Sequence, residues 1–275
     1  MFQIYFHARG CKNKMFTITL DPIILHIGHF VLRWYAVILI TAMTVGIWLT
    51  AREAERKDFK KDDIYGVAMW IIVAGMLGAR LFHVLDHWSD EYAMNPVRAL
   101  YIWEGGLAIW GALVGGLVAG AIICWRNNWS FLKLLDAATP GLVLAQAIGR
   151  IACVITGDAM GKPTTGPFGF AYTSPNALVP KLGVYYTPMP VYEIVVNLLI
   201  FAIVWQLRKR DWRDGKLFLV YLILYSIERF LLAFTSSYRI LALGLTQSQI
   251  VAVIAFLIGL SALAWMSRKS QPQAF

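Results

Sequence analysis

Long apolar runs separated by short polar segments follow one another along most of the chain. An apolar run of roughly 20 residues is long enough for an α-helix to cross the ~30 Å hydrocarbon core of a bilayer. None of the runs shows the alternating segments of about ten residues that are typical of a membrane β-barrel. The pattern therefore predicts an all-α protein with seven membrane-spanning helices. The predicted helices cover residues 30–51, 65–85, 106–125, 131–156, 190–207, 216–236 and 248–266.

Composition agrees with a polytopic membrane protein. The 275 residues are 59% hydrophobic and 15% charged, whereas a soluble domain carries about 25% charged residues. The three cysteines, Cys11, Cys124 and Cys153, are far apart and lack the spacing of metal ligands. We expect no metal and no cofactor, and one transmembrane domain over residues 1–275.

The basic residues indicate how the helices are oriented. A net charge of +9 would suggest nucleic acid as a partner of a soluble protein. Here the loops at 52–61 and 208–216 hold five basic residues each, whereas the loops after helices two and six hold only Arg98 and Arg239. The positive-inside rule then places the N-terminus outside, the C-terminus in the cytoplasm and the helices in a membrane. We expect contact with membrane lipids and not with nucleic acid.

A long polar stretch at 157–189 separates the fourth and fifth predicted helices. It is rich in proline and glycine, so it cannot be helical throughout, and ordered loops of this length are usually functional. The predicted topology places it outside the cytoplasm. Its aromatic residues favour an interfacial cap or lid, and a passive amphiphilic loop is the alternative.

Ionisable residues inside the predicted helices mark candidate sites, because each costs at least ~2.5 kcal/mol in a bilayer. At a rise of about 1.5 Å per residue, the arginines of helices two, four and six lie within roughly 10 Å of the outer ends of their helices. Residues of helices one, three and five fall at the same depth. Independent snorkelling would divide charges between both faces, so we favour one common polar site. Its predicted members are Arg33, Trp34, Tyr35, Arg80, Glu104, Trp110, Arg150, Tyr192, Glu193 and Arg229.

Arginine suits a phosphate ligand because its planar fork donates two parallel hydrogen bonds to an oxyanion. An arginine-rich site at headgroup depth therefore suggests a phospholipid. Gly105 and Gly106 precede the third helix, where bare backbone N–H groups receive anions, although close helix packing explains them equally well. For Gly111, Gly115 and Gly116, at small-xxx-small spacing, we favour packing.

Taken in order, these residues resemble those of the prolipoprotein diacylglyceryl transferases, enzymes of the bacterial cytoplasmic (inner) membrane. The resemblance covers most of the chain, and its specificity lies in the ordered set of short motifs. The set comprises Asp21-Pro22, Trp34-Tyr35, Gly78-Ala79-Arg80, Trp103-Glu104-Gly105-Gly106, Gly149-Arg150, Gly157-Asp158 with Gly161, Pro190-Val191-Tyr192-Glu193, Tyr225 to Arg229, and Leu245-Thr246 with Gln249.

The resemblance implies transfer of the diacylglyceryl group of phosphatidylglycerol to a lipobox cysteine thiol in the signal peptide of a preprolipoprotein, with release of glycerol 1-phosphate. It implies catalytic roles for Arg150 and Arg229, which would hold the headgroup and the leaving phosphate, and for Tyr35. Arg80 is expected to contact the headgroup or to pair helices. The other positions expected to bind substrate are Glu104, Gly105, Gly106, Gly149, Gly157, Asp158, Tyr192 and Glu193.

Several positions depart from the family's pattern. The family's histidine in Gly-Gly-x-x-x-His-Gly-Gly is Trp110 here, and tryptophan cannot accept a proton. Both usual histidines are missing, so the base that removes the thiol proton must be another residue. The remaining departures are Cys153 and Thr156 for two asparagines, Thr187-Pro188 for His-Pro, Ala233 for a glutamate and Ser236 for an arginine.

Other residues are candidates for that base. His83 and His87 share a helix face with Arg80, beside Asp86. A structural role is the commoner one for such histidines, and zinc binding would require further ligands. Glu104, Asp158 and Glu193 are also candidates, although for these acids we favour pairing with the arginines.

Two other functions are compatible with the pattern. A relative with the same fold could bind phospholipid but have lost the reaction, or could use another acceptor or headgroup, as the missing histidines and asparagines suggest. A transporter or channel would also carry intramembrane charges, but it predicts polar residues at the midplane and repeated halves. Apart from Asp136 the inner half is apolar, and no repeat is visible.

Overall fold

Seven long helices account for most of the structure, a computed structural model that describes residues 4–7, 15–28, 30–102, 105–238, 240–242 and 244–268. Each helix is long and apolar enough to span a membrane, as the apolar runs predict. The predicted number of helices is confirmed within the described residues, and the ends shift by a few residues because fraying and caps decide them. The helices are α1 (Trp34–Glu55), α2 (Lys61–Asp86), α3 (Ile109–Arg126), α4 (Phe131–Thr156), α5 (Met189–Leu207), α6 (Lys216–Leu232) and α7 (Gln247–Arg268).

Short strands occur between the helices, and the all-α prediction did not include them. The strands are β1 (Ile4–His7), β2 (Met15–Ile18), β3 (Ile23–Ile27), β4 (Phe30–Arg33), β5 (Phe170–Tyr172), β6 (Ile240–Ala242) and β7 (Leu245–Thr246). One sheet has the order β1-β2-β5, with β2 parallel to β5, and two antiparallel pairs join β3 to β4 and β6 to β7. Strands of two to five residues leave too short an alternation to be recognised in the sequence.

The chain divides into two compact units. Unit 1 comprises Met1–Leu49 and Thr139–Phe275, and unit 2 comprises Thr50–Ala138. The boundaries fall inside α1 and α4.

In unit 2, α2 and α3 approach to backbone contact. A methyl group added to Gly78 or Gly111 would overlap a backbone carbonyl of the other helix, and one on Gly115 would overlap Ala74. Small residues allow such close packing in membranes, where dispersion contacts and not water exclusion drive helix association. The packing role predicted for Gly111 and Gly115 is thereby confirmed. At the opposite end of the unit, the intrahelical Asp136 pairs with Lys57, with 3.5 Å between Oδ2 and Nζ.

In unit 1, α4, α5 and α6 share an apolar core. It contains Val143, Ile200, Val204, Leu217 and Tyr221, all less than a tenth exposed. Tyr221 also donates a hydrogen bond to Gln146 Oε1 at 3.1 Å, so the core connects α6 to α4 through both apolar and polar contacts.

The connection between α4 and α5 is ordered by buried aromatic residues. Tyr172, fully buried, donates a hydrogen bond to the Val154 carbonyl at 2.6 Å and packs with Met160 and Tyr186. Burial raises the pKa of the Tyr172 hydroxyl above its ordinary value. Since β5 also pairs with β2, this connection is fixed to the N-terminal strands. It is a structured element, as the aromatic residues predict.

Candidate active site

Three helices of unit 1 bring charged side chains together. Arg150 lies near the C-terminal end of α4, Glu193 near the N-terminal end of α5 and Arg229 near the C-terminal end of α6. Arg150 Nε lies 2.5 Å from Glu193 Oε2, and Arg229 Nη1 donates to Glu193 Oε1. We call these residues the Arg–Glu–Arg cluster. The pairing predicted with the arginines is confirmed for Glu193.

The cluster combines a buried acid with partly accessible bases. The Glu193 side chain is 3% exposed, whereas those of Arg150 and Arg229 are 27% and 20% exposed. Two guanidinium groups share one carboxylate, so positive charge exceeds negative charge within the cluster. A carboxylate that pairs with both arginines fixes their planar groups at little entropic cost, and the accessible parts of both side chains can meet an anion.

A pocket of about 200 Å³ lies beside α1 in unit 1 and contains Tyr35 and Asp158. Tyr35 is close enough to Asp158, Cys153 and Arg150 to interact with them electrostatically, so the pocket is adjacent to the cluster. We call it the Tyr35 pocket. It is lined by Pro22, Arg33, Tyr35, Thr156, Asp158, Asn176 and Leu178.

Cys153 connects the cluster and the pocket. Its sulfur lies 3.8 Å from Arg150 Nη1, and its side chain is buried. Asn176, which also lines the pocket, donates from Nδ2 to both carboxylate oxygens of Asp21, at 3.2 and 3.0 Å. Among the polar residues of the lining, Asn176 and Thr156 are held by hydrogen bonds, the latter to the Ala152 carbonyl.

Arg80 occupies a different environment, in unit 2. Its guanidinium group donates five hydrogen bonds of 2.6–3.2 Å to backbone carbonyls of the connection between α2 and α3. Arginine has five N–H donors, so the donors are fully used, and the side chain is buried. This geometry favours structural pairing over headgroup contact, the two roles expected of Arg80. The acceptors are the carbonyls of Arg98, Ala99, Tyr101, Gly105 and Gly106.

Gly105 and Gly106 serve the same arrangement. Both have positive φ, at 90° and 71°, and both direct their carbonyls toward Arg80. A side chain on Gly106 would collide with His83 and Arg80. Helix α3 begins three residues after Gly106, at Ile109. The geometry therefore favours close packing over anion binding for Gly106, whereas Gly105 has open space around its Cα. Glu104, predicted to join the site, lies outside the described residues.

The remaining predicted positions are near the cluster in sequence. Gly157 ends α4 with φ +76°, and its N–H bonds the Cys153 carbonyl at 2.9 Å, so it acts as the αL helix cap. Gly149 precedes Arg150 and has open space around its Cα. Tyr192, half-buried, lies about 100° around α5 from Glu193.

The histidines considered as bases stack on one another in unit 2. The rings of His83 and His87 are 4.3 Å apart, and His83 Nε2 lies 3.9 Å from Glu91 Oε2. Among the described residues, no three histidines, cysteines or acids are arranged to hold a metal ion. The His83 ring packs edge-on against Tyr92, whose ring also contacts the Arg80 guanidinium group. This geometry favours a packing role for the histidines.

A model of the prolipoprotein diacylglyceryl transferase family matches residues 22–265. The chain belongs to this family. A phosphatidylglycerol–prolipoprotein diacylglyceryl transferase of Halalkalibacterium halodurans is 35% identical over 90% of this chain and 87% of its own length. Proteins of the same name from Trichormus variabilis and Staphylococcus carnosus are 32% and 33% identical, over 91% and 93% of this chain and 91% and 94% of their own lengths.

Four of the residues that depart from the family's pattern are buried in unit 1. Cys153 contacts Arg150, and Thr156 bonds its own helix at Ala152 while lining the Tyr35 pocket. Ala233 and Ser236 are buried at the end of α6, where Ser236 pairs with Gly161. Trp110 lies in the first turn of α3.

Two residues of the site were not predicted from the sequence. Asn197 is four residues after Glu193, one turn along α5, and donates to Glu228 Oε1 at 3.0 Å. Asn176 binds Asp21 across a separation of 155 residues. The spacing of Asn197 was a usable signal, because a polar residue one turn from a buried acid shares its face. Nothing in the sequence pointed to Asn176.

Proposed function

We propose that this chain is a phosphatidylglycerol–prolipoprotein diacylglyceryl transferase. It would move the diacylglyceryl group of phosphatidylglycerol to the thiol of a lipobox cysteine in a preprolipoprotein signal peptide. Relatives with this name are similar to the chain over about nine-tenths of its length. The observation that carries the proposal is the pairing of Arg150 and Arg229 on a single buried carboxylate.

In the proposed reaction, the phosphate of the lipid binds the accessible parts of Arg150 and Arg229. The thiol sulfur attacks the glycerol carbon that bears the phosphate ester, a C–S bond forms and the C–O bond breaks. The electron pair leaves on the oxygen of glycerol 1-phosphate, and the arginines stabilise the charge that develops there. Fixed charges in a site with little water are effective because they need no reorganisation during the reaction.

The Tyr35 pocket provides groups for the thiol proton. Asp158 and Tyr35 line the same cavity, and the Arg150 side chain is within electrostatic range of Tyr35. Asp158 is the proton acceptor we propose, because this acid lines the pocket and the family's histidine is Trp110 here. The proton passes from sulfur to this carboxylate as the C–S bond forms.

The helices support a multi-pass membrane protein, and we propose the bacterial cytoplasmic membrane as its location, with the N-terminus outside and the C-terminus inside. The basic loops at 52–61 and 208–216 support this orientation. Reporter fusions after residues 57 and 210 test it: both are expected to report the cytoplasm, and a periplasmic signal from either would reverse the orientation.

A second candidate function has a specific observation in its favour. Cys153 and Thr156 stand at the two positions where the family has asparagine. Cys153 contacts the cluster and Thr156 lines the pocket, and neither side chain has the amide donor and acceptor of asparagine. A protein with this site could bind a phospholipid yet transfer nothing, or use another acceptor or headgroup. The lipid-binding fold would then be retained without the reaction.

Purified protein separates the two functions. It is incubated with phosphatidylglycerol and a synthetic lipobox peptide, and mass spectrometry follows the diacylglyceryl-peptide while an enzymatic assay follows glycerol 1-phosphate. Equimolar formation of both products supports the transferase. The second function is supported instead by lipid binding without product, together with failure to rescue cells depleted of their own transferase.

A further inference from the structure

A polar pair lies one helical turn from Glu193, inside the apolar packing of α5 and α6. Asn197 Nδ2 donates to Glu228 Oε1 at 3.0 Å and also to the Glu193 carbonyl at 2.8 Å. The exposed fractions of Asn197 and Glu228 are 2% and 5%. A single amide group thus joins the residue that holds both arginines to a second buried acid.

The pair lies next to the Arg–Glu–Arg cluster. Glu228 directly precedes Arg229 in α6, and its carboxyl interacts electrostatically with Glu193, Arg150 and Arg229. Asn197 Oδ1 and Glu228 Oε2 have no hydrogen-bond partner within the part of the chain that the structure describes. The Asn197–Glu228 bond is therefore the contact that fixes the Glu228 carboxyl.

Such a pair is poorly suited to a purely stabilising role. Replacing buried polar or charged partners by apolar residues of similar volume is often neutral or stabilising, because desolvation offsets the interaction. A buried polar network is better suited to hold one arrangement of side chains. Here that arrangement is the position of Glu193 relative to Arg229, since the pair bridges α5 and α6 next to both residues.

We propose that Asn197 and Glu228 are positioning residues for Glu193 and, through it, for the guanidinium groups of Arg150 and Arg229. The inference rests on the proposed function, because those arginines are assigned there to the lipid phosphate. What the pair requires of residue 228 is an acceptor oxygen at Oε1, which glutamine also supplies and leucine does not.

The test uses the full-length protein in nanodiscs and dihexanoyl phosphatidylglycerol as the probe. Glu228→Leu and Asn197→Leu are expected to weaken probe binding about tenfold, the effect of one hydrogen bond in this position. Their thermal midpoints are expected to equal or exceed that of the wild type. Glu228→Gln is expected to bind as the wild type does. Ser226→Ala is the control, a buried polar residue of α6 bonded to its own helix at Leu222.

Each result decides the inference. Wild-type affinity in both leucine variants, or a loss of affinity that follows a matching loss of thermal stability, contradicts a positioning role. Failure of Glu228→Gln to restore binding contradicts the acceptor assignment. A wild type that binds the probe but transfers nothing removes the proposed function and leaves the binding comparison intact. A wild type that binds no probe removes both.

Discussion

Glu193 holds Arg150 with one carboxylate oxygen and Arg229 with the other, so that a single residue of α5 fixes the arginines of α4 and α6. Each arginine remains partly exposed while the acid is buried. The carboxylate therefore lies behind the two guanidinium groups and leaves their accessible surface for an anion. Removing the acid should affect both folding and binding, whereas removing one arginine should affect chiefly binding.

Glu193→Gln is expected to destabilise the protein by on the order of 3 kcal/mol, because two guanidinium groups lose their shared buried counter-charge. Thermal unfolding in detergent measures the loss. Glu55→Gln is the control, since Glu55 pairs with Lys61 at 2.7 Å with both side chains nearly half exposed, and such pairs contribute about 0–1 kcal/mol. Equal midpoints for the two variants would show that Glu193 does not hold the arginines.

Arg80→Leu is expected to destabilise the protein without changing its affinity for lipid phosphate. Five backbone carbonyls each lose a hydrogen bond from the buried guanidinium group, and a hydrogen bond to a charged group contributes about 1.5–3 kcal/mol. Thermal unfolding and phosphatidylglycerol binding at a temperature well below the midpoint separate the two effects. A folded variant with weakened lipid binding would return Arg80 to the headgroup role.

Gly78→Ala is expected to reduce the yield of folded protein sharply, because the added methyl overlaps the Gly111 carbonyl and α2 and α3 cannot separate without losing their packing. Gly66→Ala, in the same helix, has open space around the new methyl. It is expected to be neutral or to stabilise by up to ~1 kcal/mol. Size-exclusion profiles of the two variants provide the comparison, and similar monodisperse yields would contradict the close approach.

Tyr172→Phe is expected to cost about 1 kcal/mol through loss of the hydrogen bond to Val154. The raised pKa of this buried hydroxyl adds a pH dependence. Its contribution to stability is complete below the unfolded pKa of about 10 and is lost as pH rises through the folded pKa, since the unfolded state ionises first. Unfolding between pH 8 and 11 should therefore show a smaller alkaline loss in Tyr172→Phe than in the wild type. Parallel losses would exclude Tyr172 as a source.

The helices could be predicted from the length of the apolar runs. The Arg–Glu–Arg cluster could be predicted from the depth at which its three residues lie along their helices. Counting residues from the ends of three apolar runs places Arg150, Glu193 and Arg229 at one level, and opposite charges at one level in a bilayer pair. The role of Arg80 could not be predicted in this way. It depends on the backbone path of residues 98–106, and spacing in the sequence does not specify where loop carbonyls point.

The Asn197–Glu228 bond illustrates the same limit. Each residue lies in a predicted helix, but their contact depends on how α5 is rotated about its axis relative to α6. Both helices are apolar on nearly all sides, so the sequence pattern does not reveal this rotation. The short strands could not be predicted for a different reason. Segments of two to five residues are too short to show the two-residue alternation of a β-strand.

Arg150 and Arg229 are proposed to bind and stabilise the phosphate that leaves during transfer. The most direct measurement is the initial rate of diacylglyceryl-peptide formation by wild type, Arg150→Ala and Arg150→Lys, each shown to be folded. Loss of a charged group at a leaving phosphate is expected to lower the rate at least about a hundredfold in Arg150→Ala. Arg150→Lys should recover only part of it, because lysine lacks the planar fork. An unchanged rate in Arg150→Ala would contradict this role of Arg150.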